Sequence, residues 1–191
     1  MNQQLLQLEL LQKVNATKVS RANFADFILT NKMLFPYLVD EVFNVQHTTH
    51  IKAAWILEWI CTNNGIEKIL PHLNQFISKL THIKDESALR PCAKICEQLA
   101  NIHHQKKRDK NTYILNNQQI ESLISISFDW LLDKKSIAVK AYTMQTLFYL
   151  GFYEKWVHSE LANIIHTKLI FESKGCAARG KKILNQIQKL Q

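Results

Sequence analysis

Glycine and proline are scarce in this sequence. Its 191 residues include four Gly and three Pro, where ordinary usage is roughly 7% and 5%. So few chain breakers exclude a turn-rich all-β protein and favour helix, as do the many Leu, Ile, Lys, Gln and Glu residues. No apolar run approaches the ~18 residues that a membrane-spanning helix needs. Met1-Asn2-Gln3-Gln4 offers no cationic region, and Gln7 and Glu9 interrupt the apolar stretch that follows, so no secretory signal is expected. No Gly-rich phosphate loop occurs. The four cysteines, Cys61, Cys92, Cys96 and Cys176, form no disulfide framework. Each lies in an apolar helical context, which predicts reduced thiols in a cytoplasmic core.

What is present is the composition of one ordinary globular domain, 47% hydrophobic and 21% charged. The net charge of +8 is unevenly placed. Residues 1–102 hold 10 Lys/Arg against 9 Asp/Glu, and residues 103–191 hold 14 against 7. Basicity therefore belongs to the carboxy-terminal half, which bears on any anionic partner.

Helical periodicity runs through nearly the whole chain. A first helix from Leu5 fades near Asn15, and Ser20 is a plausible N-cap for the second. Phe35, Leu38, Val39 and Val42 mark a third, with Pro36 in its first turn. The most apolar helix covers 50–63 and stops at Asn63-Asn64-Gly65. Helices follow over 66–80, bent or restarted at Pro71, and from Asp85 to about Ile102, with Pro91 in its opening turn. Four more are expected near 117–132, 136–150, 154–171 and 174–190, with Ser136 and Ser173 as N-caps. No run alternates as a strand does.

Ten helices with short connections pair as antiparallel hairpins, and the pairs repeat weakly. Lys52-Ala53, Arg90-Pro91, Lys140-Ala141 and Arg179-Gly180 each follow an apolar residue and precede apolar residues a turn later. The basic residues are spaced by 38, 50 and 39. Removing about 12 residues from the polar stretch after His104 restores a common step close to the ~40-residue period of helical repeats. The expected architecture is thus a single all-α solenoid over 1–191, of about five antiparallel helix pairs, with a polar, basic loop inserted near 104–116.

These helix starts resemble the HEAT repeat, whose inner helix opens with an apolar residue, Arg or Lys, and a small residue. In that family the basic residue commonly bonds an Asp six positions earlier. Here those positions hold Gln46, Lys84, Lys134 and Ser173, so Lys52, Arg90, Lys140 and Arg179 need other partners. Ala54-Trp55-Ile56-Leu57-Glu58, Arg90-Pro91-Cys92-Ala93-Lys94-Ile95-Cys96-Glu97, Phe128-Asp129-Trp130-Leu131 and Lys140-Ala141-Tyr142-Thr143-Met144 are similar to a family of short Bacteroidetes proteins often named adenylosuccinate lyase. The resemblance covers most of the chain from about residue 15. That name implies a Ser-Ser-x-Met-Pro-x-Lys-x-Asn loop, and the sequence has neither a Ser-Ser nor a Met-Pro pair.

Glu58 and Glu97, acids within apolar helices, suit general acid–base work. They equally suit structural pairing, Glu58 with Lys94 or Arg90 on the next inner helix, because a buried acid without a partner is costly. Pairing is the expectation. His47 with His50, and His103 with His104, lack the further ligands of a zinc site. Trp55, Trp59, Trp130 and Trp156 could stack on bases, but among Ile and Leu at helical spacing they read as core. Lys106, Lys107, Arg108 and Lys110, with Lys181 and Lys182 in the last helix, form the best phosphate-binding candidates. The competing reading is a solvated loop and a polar end cap. With 20 Lys against 4 Arg, diffuse attraction is favoured over bidentate readout. No catalytic constellation, cofactor or metal is expected. The leading expectation is a non-enzymatic scaffold for a protein partner, ahead of a nucleic-acid binder and an enzyme of unknown reaction.

Overall fold

The computed structural model describes residues 3–108 and 114–190. All regular structure among them is helical, and no strand occurs there. The chain forms two compact units, Met1–Ile95 and Cys96–Gln191, and the boundary falls inside one long helix.

The first unit contains α1 (Gln3–Lys13), α2 (Lys18–Thr30), α3 (Phe35–Val42), α4 (Thr49–Asn63), α5 (Leu73–Lys79) and the start of α6 (Glu86–Arg108). Three helices, α1, α2 and α3, pack on α4. They cover one broad apolar face of α4, on which Ala53, Ala54, Ile56, Leu57, Ile60 and Cys61 are all buried. Thr17, not Ser20, caps α2, its Oγ1 accepting the Ser20 N–H at 3.2 Å. Ser20 lies in the first turn, where its hydroxyl donates to the Lys13 carbonyl and accepts the Asn15 N–H. After α4, Gly65 takes a φ of 111° that other residues resist. Pro71 then lies in a 3-10 segment, Ile66–His72, so the regular helix restarts only at Leu73.

Pro91 sits in the second turn of α6 rather than its first. It has no N–H for the carbonyl of Ser87, four residues back. The indole Nε1 of Trp55 donates to that carbonyl at 3.0 Å instead. Helix α6 also outruns its expected end near Ile102 and continues to Arg108. The expected loop near 104–116 therefore begins as helix, because Gln105, Lys106, Lys107 and Arg108 are good helix formers with no breaker among them.

The second unit adds α7 (Asn117–Leu132), α8 (Ile137–Leu150), α9 (Lys155–Ile164), a π turn over Ile165–Leu169, the short α10 (Ile170–Glu172) and α11 (Lys174–Gln188). Here α8 is the central helix, packed by α7, α9 and α11. A capping box of Asn116 and Gln119 opens α7, and Ser136 and Ser173 cap α8 and α11 as expected. Gly180 allows α11 to approach the π turn, since a Cβ there would lie 2.7 Å from Ile165 Cγ2.

Candidate functional site

In the first unit the charged side chains on and around α4 find different kinds of partner. Glu58, nearly buried on α4, accepts from the Lys94 ammonium of α6 and from the Thr62 hydroxyl at 2.9 Å. Lys52 donates to the carbonyls of Leu10 and Leu11 at 3.3 and 3.1 Å. It thus meets the last turn of α1, where a cation is favoured. Arg21 lies over the Trp59 ring, 5.4 Å from its centroid. Arg90 is exposed and forms no ion pair with a described residue.

In the second unit, Lys140 is buried and its Nζ lies 2.5 Å from the Glu172 carboxylate. Arg179 donates through Nε to the Ala141 carbonyl at 3.3 Å, and its Nη2 lies 3.5 Å from Glu97. Burial pushes the Tyr149 hydroxyl above its ordinary pKa. Glu97 adds to the rise and Arg179 opposes it. Lys52, Lys140 and Arg179 thus meet three different acceptors: helix-end carbonyls, Glu172, and the Ala141 carbonyl with Glu97.

Cys61 and Cys96 are poor nucleophiles. All four cysteines are buried. Burial, reinforced by Glu58 and Glu67, raises the Cys61 thiol well above its ordinary pKa of 9.0. Burial likewise pushes Cys96 up to about 12, so neither is a thiolate near neutrality. No group of three or more His, Cys, Asp or Glu among the described residues is placed to hold a metal ion.

His103 opens the basic segment but belongs to the core. It is fully buried, and its Nδ1 accepts the N–H groups of Ile114 and Leu115 at 3.2 and 3.1 Å. Its carbonyl accepts the Tyr153 hydroxyl at 2.9 Å, and the two rings lie 4.4 Å apart. Lys106 is half-buried on α6, while Lys181 and Lys182 are exposed on α11. Lys110 and the side chains of Lys107 and Arg108 lie outside the described residues.

Three features escaped the sequence. Glu41 is fully buried, yet among the described residues its carboxylate accepts only from neutral donors: Gln7 at 3.1 Å, Asn44 at 3.1 Å, and the Thr49 hydroxyl. Its place at i,i+3 from Leu38, on the edge of an apolar face, was the available signal. Trp156, 54% exposed, stacks on Phe128 beside a groove of about 430 Å³ that also meets Glu121, Asp129 and Glu154. A second groove, of about 590 Å³, is walled by Ile28, Leu29, Phe35 and Pro71 in the first unit. No helical periodicity within one segment reports a groove built from several.

No known protein family, curated protein or solved structure matches this chain.

Proposed function

We propose that the chain is a non-enzymatic module of HEAT-like helix pairs that presents its surface to a protein partner. The observation that carries this reading is how its charged residues are used. Glu58 with Lys94, Lys140 with Glu172, and Glu97 with Arg179 each join residues on different helices. These three carboxylates, engaged with cations, and the Cys61 and Cys96 thiols, held protonated, are poorly placed for acid–base or nucleophilic chemistry.

The repeat reading draws support from contact spacing. In the second unit, Ala141 meets Arg179 and Ile137 meets Gly175, both 38 residues apart. Two contacts at one offset mean that α8 and α11 run parallel, as inner helices of successive pairs do. In the first unit, Trp55 meets Ser87 and Glu58 meets Lys94, at offsets of 32 and 36. Antiparallel neighbours would instead show an offset that shrinks steadily along the helix.

Repeat arrays serve as binding surfaces because their stacked helices expose broad, open faces. Affinity capture of the full chain from its native cells, with mass spectrometry of the retained proteins, tests the proposal. A discrete partner that resists moderate salt is expected. Absence of any specific partner would overturn the reading.

A further inference from the structure

The groove of the first unit is not used by the ion-pair network. Ile28 and Leu29 come from α2, Phe35 opens α3, and Pro71 lies in the 3-10 segment before α5. Leu29 and Pro71 give the accessible apolar wall of about 590 Å³, over a floor formed by the buried Ile28 and Phe35. Met33, next in sequence to Lys32 in the turn between α2 and α3, is 83% exposed.

The rim has one sign. Lys32 and Lys68 line the groove, both are exposed, and neither forms an ion pair with a described residue. The adjacent acid, Glu67, folds back against Gly65, where a Cβ would meet its carboxylate at 2.1 Å, and it does not line the groove. Asn64, also exposed, contributes an amide able to donate and accept. A basic segment would be repelled by the two ammonium groups. An uncharged apolar segment would partly dehydrate them without compensation. A segment with carboxylates on either side of an apolar anchor meets both demands.

We propose that this groove docks an acidic amphipathic segment of a protein partner, its apolar residues against Leu29 and Pro71 and its carboxylates on Lys32 and Lys68. The inference rests on the protein-partner reading and names the chemistry of the partner. The amide of Asn64 serves the backbone of the docked segment. Charge on the rim sets which segment enters, and the apolar wall supplies the burial.

The test uses two fluorescent peptides, one with a Leu-Phe anchor between glutamates and one with the same anchor between lysines. The full chain binds the glutamate peptide, and more weakly as salt rises. The K32E/K68E variant weakens that binding by at least about tenfold and gains the lysine peptide. Equal binding of the glutamate peptide by both proteins, or by neither, overturns the proposal. So does binding that dodecanoate competes away while the glutamate peptide shows no charge preference, since the groove would then take a fatty anion. Substituting exposed lysines leaves the core intact, and an unchanged thermal melt of K32E/K68E verifies it. Cell capture repeated with K32E/K68E separates the two readings. A partner held equally by both proteins removes the groove proposal alone, whereas no partner on the wild-type chain removes the module reading.

Discussion

The indole N–H of Trp55 bonds the carbonyl of Ser87 at 3.0 Å, and that carbonyl is the one Pro91 leaves without a helical donor. A residue on α4 thus completes the backbone of α6. Trp55→Phe should cost about 1 kcal/mol beyond its packing loss. In a Pro91→Ala background the helix regains its own donor, and the same substitution should cost less. Denaturant unfolding of the four proteins in a double-mutant cycle measures the difference. Additive costs would dismiss the relationship.

Lys140 and Glu172 should respond unequally to substitution. The lysine side chain is 4% exposed and the glutamate 27%. Glu172→Gln strands a buried cation and should destabilise by about 3 kcal/mol. Lys140→Met leaves a carboxylate that reaches water, and should cost about 1 kcal/mol or less. Chemical denaturation of both variants distinguishes this order from its reverse.

Cys96 predicts a specific alkaline weakness. Its folded pKa, about 12, stands above the ordinary 9.0, so the unfolded chain releases the proton first. Its contribution is complete below pH 9.0 and is lost as pH rises from there towards 12, at up to about 1.4 kcal/mol per pH unit. Cys61 shifts in the same direction. Unfolding free energies at pH 8 and pH 10 should differ less in Cys96→Ala than in the wild-type chain. Native protein should also resist a thiol reagent at pH 8 until denaturant is added.

Lys181 and Lys182 allow a decision on nucleic acid. Exposed lysines give diffuse, screened attraction. Duplex DNA should be retained at low salt only, with a smaller salt slope in Lys181→Gln/Lys182→Gln. Retention that persists at physiological salt would reassign the function to nucleic-acid binding.

The helical class was legible because apolar residues recur at helical spacing and breakers are rare. The weak recurrence from Lys52 to Arg179 also offers Glu58 two partners, Lys94 or Arg90, of which Lys94 is the one engaged. Other features depend on events that local pattern does not encode. Ser20 and Thr17 are both competent caps, and the Asn15 side chain, accepting the Thr17 N–H at 2.9 Å, supports Thr17. His104 to Arg108 are polar enough to suggest a loop, yet they continue α6 because nothing there stops a helix. His103 carries the mark of a basic surface but is fixed in the core by bonds to Ile114 and Leu115, more than ten residues on. The two grooves arise from segments that meet only after folding.

The polar attachments of α1 bear on how the chain can be shortened. Gln7 donates to buried Glu41, and the carbonyls of Leu10 and Leu11 receive Lys52. A fragment starting at Asn15 would uncover an apolar flank and also abandon one donor to a buried carboxylate and both acceptors of an ammonium. The leading helix therefore behaves as an interior member of its unit, and a minimal folding fragment must begin ahead of it.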